Sequence, residues 1–303
     1  MLAPGAGEVT VLDGGLATEL EANGYDLSDR LWSARLLVTD PDAIEAAHLA
    51  YFRAGARVAT TASYQASIAG FATAGLDATD ARRLIALSVE LADRARARYR
   101  AETGDDGALL VAGSVGPYGA MLADGSEYRG DYDPGAAALA DFHRPRIDAL
   151  VAAGADILAF ETIPTIREAE VLVGLLDEVE IPAWLSYSCR DANSTSAGEP
   201  IEAAMAVAAH PRVLAVGINC TAPRHLPALL GAARNATNLP LIAYPNGGER
   251  WDAASRRWLA DEGGAYDPDA VASWTSLGAT WLGGCCGTGP ADIAALATRV
   301  RAA

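Results

Sequence analysis

The sequence has few basic residues. Lysine and arginine together number 23 against 39 aspartate and glutamate residues, which gives a formal net charge of −16 at pH 7 and a pI of about 4.6. A strongly acidic chain repels phosphate backbones and anionic bilayers. We therefore expect no nucleic-acid partner and no membrane partner, whereas a small cationic substrate is compatible with this charge.

Targeting and membrane-spanning segments are also missing from the sequence. Residues 1–8 have neither the basic start nor the apolar centre of a signal peptide. No apolar run is long enough to span a bilayer. There are four cysteines, and without secretory features so few indicate a reducing compartment rather than a disulfide framework. The predicted location is therefore the cytoplasm.

Apolar residues make up 51% of the chain, and they form short β-branched runs that alternate with helical stretches. The runs are continuous rather than alternating in polarity, as expected for parallel strands buried on both faces. Eight such β/α units predict one (β/α)8 TIM barrel, a single domain over residues 1–303, with a doubly wound sheet as the main alternative. No Gly-x-Gly-x-x-Gly follows the first run, which weakens a dinucleotide site. The predicted strands are residues 9–13, 56–63, 109–114, 156–161, 183–188, 213–219, 239–244 and 280–284.

Predicted helices separate these strands. The stretch 41–53 has Asp40 as a candidate N-cap, Pro41 at its first helical position and Gly55 as a candidate C-cap. The other predicted helices are residues 79–100, 135–153, 166–179, 201–209, 223–233 and 268–277, and a final helix from residue 290 to the C-terminus.

Two polar stretches interrupt this regular alternation. Residues 121–134 and 247–264 are rich in Gly, Asp and aromatic residues, and we predict that both lie over the barrel rim. Elsewhere the chain passes from helix to strand through a recurrent glycine turn, at residues 54–56, 153–155 and 277–279.

Three cysteines fall at the ends of two predicted strands. Cys220 follows the sixth strand, and the adjacent Cys285 and Cys286 follow the eighth. The carboxyl ends of barrel strands meet on one face, and three thiolates there would bind zinc with a fourth position open. Flanking glycines could turn the backbone so that both adjacent sulfurs face one ion. Buried cysteines acting as small hydrophobes are the alternative. Cys189 also ends a strand but has no obvious partner, and we expect it to take no part.

Two carboxylates end predicted strands as well. Asp13 and Glu161 could each bind a substrate ammonium, act as a base or cap a loop amide. A functional role is favoured for Glu161 because it follows a fully apolar strand. For Asp13, a functional role and a loop-capping role both stay open. The histidines all fall in or near predicted helices, which argues against a Ser-His hydrolase and His-ligated metal hydrolysis. They are His48, His143, His210 and His225.

Motifs at the strand ends follow one another in order along nearly the whole chain. They are DGGLATEL (13–20), LWSA (31–34), TASYQAS (61–67), VAGSVGPYG (111–119), ET (161–162), GINC (217–220), YPN (244–246) and GGCC (283–286). In this combination they resemble the homocysteine S-methyltransferase family. The loop 122–132 is most similar to the bacterial and plant branch that uses S-methylmethionine as methyl donor.

The resemblance implies a (β/α)8 barrel with zinc held by Cys220, Cys285 and Cys286. It implies homocysteine as methyl acceptor, its ammonium held by Glu161 and Asp13 with backbone amides near Gly14. The expected reaction is zinc-dependent transfer of a methyl group from a sulfonium donor, S-methylmethionine or S-adenosylmethionine, to homocysteine, giving methionine. Zinc would generate the thiolate nucleophile, so no general-base histidine is required.

Further residues complete the predicted substrate site. The sulfonium cation could lie against aromatic faces, for which Trp32 is the favoured candidate. Ser63 belongs to the rim segment 60–65 in which the second strand ends, and Asn219 would fix the rim beside Cys220 by hydrogen bonding. The other aromatic candidates are Tyr64, Tyr118 and Tyr244.

Several alternatives stay open. Betaine could replace the sulfonium donor, or selenocysteine could be the acceptor, on the same barrel and zinc. A non-catalytic sensor could switch Cys285 and Cys286 between metal-bound and disulfide forms. Compared with betaine-using and cobalamin-using relatives, the chain has no further segment after its last β/α unit. We therefore expect a monomer or weak homo-oligomer.

Overall fold

A computed structural model describes residues 8–27, 31–248, 250–252, 257–259, 267 and 270–302. Within these ranges all but two strands belong to one parallel sheet. The strands are β1 Thr10–Val11, β2 Val58–Thr60, β3 Leu110–Val115, β4 Ile157–Ile163, β5 Ala183–Tyr187, β6 Val213–Asn219, β7 Leu241–Tyr244, β8 Arg250–Asp252, β9 Arg257–Leu259 and β10 Ala279–Leu282. The pair β8 and β9 forms a separate antiparallel hairpin.

The large sheet is nearly closed into a barrel. Its strand order is β1-β10-β7-β6-β5-β4-β3-β2, so β1 and β2 are its two ends. The backbone amide of Arg57 donates to the Val11 carbonyl oxygen at 2.7 Å. The amide and hydroxyl of Thr60 donate to the Asp13 carboxylate at 2.6 and 2.9 Å. These contacts join the two ends, and the predicted (β/α)8 barrel is confirmed.

Helices surround the sheet, and each long predicted helix is present. The short helices α1, α2, α4 and α6 were not predicted, because their apolar residues span too few turns to show a period. Across the described residues the α-helices are α1 Leu16–Ala22, α2 Leu36–Thr39, α3 Pro41–Ala54, α4 Ile68–Thr73, α5 Ala78–Thr103, α6 Tyr118–Leu122, α7 Ala136–Ala152, α8 Ile166–Leu175, α9 Ile201–Ala206, α10 Leu226–Ala236, α11 Val271–Ser276 and α12 Pro290–Ala302. No helix in these ranges is long and apolar enough to cross a membrane.

The ends of α3 test the predicted caps. Asp40 occupies the N-cap position, but its side chain makes no capping hydrogen bond. Its carboxylate instead accepts a hydrogen bond from the Tyr25 hydroxyl at 2.9 Å, so the predicted capping role is wrong. Gly55 ends the helix with φ +105°, as predicted. The other two predicted glycine turns also have positive φ, +90° at Gly154 and +94° at Gly278.

Side chains fill the interior of the barrel. Trp184 and Trp281 are both fully buried there, with ring centroids 6.0 Å apart. Around them pack seven apolar residues from six strand segments: Leu12, Val58, Ala112, Ile157, Ala159, Ala215 and Ile242. A packed interior holds no substrate, so a ligand site must lie at the rim.

Candidate active site

Three thiols meet at the carboxyl end of the barrel. Cys220 directly follows β6, and Cys285 and Cys286 follow β10. Their sulfur atoms all lie within 4.8 Å of one another, and the Sγ atoms of Cys220 and Cys286 are 3.9 Å apart. We call these three residues the thiol cluster. Converging thiols of this kind could hold one metal ion. Cys189 lies outside it, buried in an isolated bridge with Thr195.

Unusual backbone geometry brings the three sulfurs together. Cys220 has φ +45°, in the left-handed region that non-glycine residues rarely adopt. On the other side, a Cβ on Gly283 would lie 2.6 Å from the Leu12 side chain. A Cβ on Gly284 would collide with Thr288. The glycines that precede the cysteine pair are therefore needed for close approach of the chain.

The thiols polarise one another. Side-chain hydrogen bonds from Cys285 and Cys286, together with one from the Tyr128 hydroxyl, hold the pKa of Cys220 well below its usual range. The hydrogen bonds to Cys220 raise the pKa of Cys285 and Cys286. Cys220 is therefore the thiol of the cluster that loses its proton most readily, and a bound cation would favour the thiolate form of all three.

Tyr128 was missed by the sequence analysis. It lies in the short 3-10 helix Ser126–Tyr128, within the polar stretch 121–134. Its hydroxyl is 3.3 Å from the Cys220 Sγ atom, so this stretch lies over the rim, as predicted. The aromatic and acidic composition of the stretch was the available signal, but only the fold shows which side chain turns inward. The second stretch, 247–264, lies mostly outside the described residues.

Asp13 and Glu161 are buried next to the thiol cluster. The Gly284 amide donates to the backbone oxygen of Asp13 at 3.0 Å, which ties β1 to the cysteine loop. Burial raises the pKa of Asp13 to about 7, and the charge of Glu161 adds to that rise. Burial likewise raises the pKa of Glu161 to about 7. Two neighbouring acids with raised pKa values form a site that favours a cation.

Hydrogen bonds fix the orientation of Glu161. The Ser114 hydroxyl donates to its Oε1, and the Tyr244 hydroxyl donates to its Oε2 at 3.2 Å. The Tyr244 oxygen in turn accepts a hydrogen bond from the Trp184 indole at 3.0 Å. The Tyr244 ring therefore packs within the barrel and positions Glu161. Asp13 is held by Thr60, so the loop-capping interpretation of Asp13 describes a contact that is present.

Three other predicted site residues, Asn219, Ser63 and Gly14, lie at the rim in close contact with neighbouring segments. Asn219 exchanges two hydrogen bonds of 2.7 Å with Thr162, beside Glu161, which is the rim-fixing role expected of it. Ser63 is buried and donates to the Ser114 carbonyl. A Cβ on Gly14 would lie 2.6 Å from the Thr288 carbonyl oxygen, so the chain passes close to the cysteine loop there.

The aromatic candidates differ in whether they lie near the thiol cluster. Negative charge on Cys220 adds to the effect of burial in raising the pKa of Tyr64, which places Tyr64 near the thiol cluster. The Tyr118 ring packs instead against Tyr132 and Phe142, at 5.6 and 5.0 Å between centroids. Trp32 begins the 3-10 helix Trp32–Arg35, but its side chain lies outside the described part of the chain.

The four histidines stay away from the thiol cluster, as expected. His48 is buried in α3, and His143 is buried in α7 against Glu168. His210 lies 3.3 Å from Asp177, and His225 ends the 3-10 helix Pro223–His225. None of them is a member of the metal-ligand group found among the described residues.

The fold and the site together define a class of protein: a (β/α)8 barrel with buried acids and a thiol cluster that could hold a metal ion at its carboxyl rim. The family model described as homocysteine S-methyltransferase matches residues 10–300. Homocysteine S-methyltransferase of Escherichia coli (strain K12) is 51% identical over 295 residues, covering 96% of this chain and 95% of that protein. Selenocysteine Se-methyltransferase of Brassica oleracea var. italica is 43% identical over 309 residues, covering 97% and 89%.

A solved structure agrees with these sequence relatives. The crystal structure of the homocysteine methyltransferase MmuM from Escherichia coli, in its metallated form, matches with a TM-score of 0.87 and 49% identity. The match covers 96% of each chain. The chain belongs to the homocysteine S-methyltransferase family. It is therefore an enzyme of the methyltransferase class, as predicted, rather than a non-catalytic sensor.

Proposed function

We propose that the protein transfers a methyl group from S-methylmethionine to homocysteine, with a zinc ion held by Cys220, Cys285 and Cys286. The observation that carries this proposal is the convergence of three sulfurs beside two buried carboxylates at the barrel rim. The names of the relatives support homocysteine as acceptor. The similarity of the loop 122–132 to the S-methylmethionine branch supports the donor, with S-adenosylmethionine as the alternative.

The dimensions of the thiol cluster fit zinc. Zinc–sulfur bonds of about 2.3 Å in a tetrahedral site place the sulfurs about 3.8 Å apart, close to the 3.9 Å between Cys220 and Cys286. The metal-ligand group found among the described residues has three members, which would leave a fourth position for substrate. When bound, zinc would lower the pKa of a substrate thiol and keep the resulting thiolate nucleophilic.

The carboxylates of the chain would bind and orient the acceptor. Asp13 and Glu161 would both pair with the homocysteine ammonium, and this cation would favour their ionised forms. Ser114 and Tyr244 hold Glu161 in one orientation through its two oxygens. Fixing the acceptor in this way places its sulfur for in-line attack on the donor methyl group, and such orientation supplies much of a two-substrate rate gain.

The same reasoning supports the remaining expectations. We propose that residues 1–303 act as one barrel domain, as a cytoplasmic monomer or weak homo-oligomer that uses small-molecule substrates. The unbroken series of β/α units supports the single domain. The scarcity of cysteine supports a reducing compartment.

The test is methionine formation from homocysteine by zinc-loaded protein, with S-methylmethionine, S-adenosylmethionine and betaine compared as donors. We expect turnover with S-methylmethionine to be fastest. Cys285→Ser should lose zinc and at least about 100-fold of turnover, since even partners of metal ligands contribute 10–100-fold. Cys189→Ser, which removes a buried thiol outside the thiol cluster, should keep both. Turnover by zinc-free protein, or equal losses in the two variants, would contradict the proposal.

The Brassica oleracea relative favours a second acceptor. That protein is named for methylation of selenocysteine, so selenocysteine is a reasonable competitor for the acceptor position. Competition between homocysteine and selenocysteine at equal concentrations measures the preference. We expect homocysteine to be preferred, and a higher kcat/KM for selenocysteine would reassign the acceptor.

A further inference from the structure

Glu127 is a buried carboxylate for which the mechanism above has no role. It lies in the 3-10 helix Ser126–Tyr128 and is only 7% exposed. Its Oε2 atom is buried without a hydrogen-bond partner among the residues that the structure describes. The next residue, Tyr128, places its hydroxyl 3.3 Å from the Cys220 sulfur. The turn that carries Glu127 therefore lies directly over the thiol cluster.

Nearby positive charge compensates Glu127 only in part. The guanidinium of Arg129 binds the Asp131 carboxylate at 2.9 Å and the Asp124 carbonyl at 3.0 Å. The sequence contains no lysine. Burial raises the pKa of Glu127 to about 7. The charges of Cys220 and Asp124 add to this rise, and the charge of Arg129 opposes it by a smaller amount. A buried carboxylate oxygen without a partner costs free energy, and a cationic ligand would remove that cost.

We infer that Glu127 binds the positive sulfonium group of the methyl donor and thereby selects a cationic donor. The inference rests on the proposed function, in which Asp13 and Glu161 hold the acceptor ammonium. The donor sulfonium must come within in-line reach of the acceptor sulfur at the thiol cluster. Tyr64 lies near both groups, since the charges of Glu127 and Cys220 both contribute to its raised pKa. Its ring could supply an aromatic face for the same cation.

The chemistry of the transfer predicts how Glu127 acts. The bond from the donor sulfur to the methyl carbon breaks, its electron pair stays on the donor sulfur, and the acceptor thiolate forms the new sulfur–carbon bond. The sulfonium becomes a neutral thioether, so its positive charge disappears as the methyl group leaves. A carboxylate therefore stabilises the bound donor more than the transition state. Its removal should raise the donor KM without lowering kcat.

The experiment compares Glu127→Gln with Asp133→Asn, a matched control that removes an exposed acid from the same loop. With S-methylmethionine as donor, we expect Glu127→Gln to raise the donor KM about tenfold or more. The homocysteine KM should stay within about twofold and kcat within about threefold. Asp133→Asn should match the wild type in all three, and Glu127→Asp should recover part of the donor KM.

A calorimetric titration supplies a second measurement that does not need turnover. Wild-type protein should bind S-methylmethionine about tenfold more tightly than methionine, which lacks the sulfonium charge, and Glu127→Gln should lose this preference. An unchanged donor KM in Glu127→Gln, or equal increases in both KM values, would overturn the inference. Wild type that turns over no donor refutes the proposed function alone, because the titration still decides whether Glu127 recognises the sulfonium.

Discussion

Two buried polar clusters in this barrel differ in how their charges are balanced. The first, the outer cluster, consists of Tyr132, His143, Arg146 and Glu168. Glu168 accepts hydrogen bonds from the Tyr132 hydroxyl and from His143 at 2.8 Å. Arg146 donates to His143 at 2.9 Å and to two backbone carbonyls at 2.6 and 3.0 Å. One cation and one anion are thus paired through a histidine inside the protein.

The rim site is as deeply buried but has a surplus of negative charge. Asp13, Glu127 and Glu161 each have a pKa raised to about 7, with burial as the main cause. The pKa of Cys220 beside them is held well below its usual range. Burial alone therefore does not mark a functional site. The outer cluster pairs its charges within the chain, although the Arg146 Nε atom lacks a hydrogen-bond partner among the described residues. The rim site has more acids than the chain balances, so cations from outside would complete it.

The sharpest test of this contrast is Glu161→Gln. We expect kcat/KM for homocysteine to fall at least about 100-fold, because removing one partner of a buried charge pair costs about 2–5 kcal/mol. The fold should be kept and zinc should stay bound. Steady-state kinetics with metal analysis make the comparison, and unchanged kcat/KM would remove Glu161 from the substrate site.

The matching change in the outer cluster is Glu168→Gln. It should destabilise the protein by about 2–4 kcal/mol. Arg146 loses its buried counter-charge, and the NH2 group of the new glutamine points at hydrogen-bond donors that the carboxylate of Glu168 had accepted from. Urea unfolding gives this value. Turnover per folded molecule should change far less than in Glu161→Gln, and a stable but inactive Glu168→Gln protein would place the outer cluster in the reaction.

The pH dependence of stability separates the two clusters again. The pKa of Glu161 is about 7 in the fold and near 4.5 in the unfolded chain, so the folded state binds the extra proton between these values. As pH rises from about 4.5 to 7, wild type should lose stability relative to Glu161→Gln, by about 3 kcal/mol, and the difference should then level off. Urea unfolding across this range, without ligands, measures it. A difference independent of pH would mean that the pKa is not raised.

The smallest expected effect belongs to Tyr128→Phe. Removing its hydroxyl takes one donor from the Cys220 sulfur, and hydrogen bonds to a metal ligand tune metal affinity. We expect zinc affinity to fall by about tenfold or less, with turnover at saturating zinc nearly unchanged. Competition with a chelator measures the affinity, and complete loss of zinc would show that Tyr128 has a larger structural role.

The sequence was sufficient for the barrel and for the thiol cluster. Continuous apolar runs marked the strands, and the carboxyl ends of parallel strands must meet on one face, which brought Cys220 near Cys285 and Cys286. The partners of side chains were harder to predict. Asp40 had the position of a cap but bonds to Tyr25, a residue 15 positions away in sequence.

Residues outside regular elements were the least predictable. Nothing in the sequence distinguished Glu127 and Tyr128 from their polar neighbours, because the side chain that turns inward depends on how the loop packs. For Tyr118 the sequence predicted a role that the fold does not support. Its place in a rim motif suggested a ring available to a substrate, but the ring packs against Tyr132 and Phe142. Such placement is decided by tertiary contacts that no local pattern encodes.

The most direct measurement follows a labelled methyl group from S-methylmethionine into methionine, with bound zinc measured in parallel, for wild type, Cys285→Ser and Glu161→Gln. We predict efficient label transfer by wild type only, with zinc lost in Cys285→Ser and retained in Glu161→Gln. Label transfer by Cys285→Ser without zinc would contradict the assignment of the rim as a zinc-dependent methyl-transfer site.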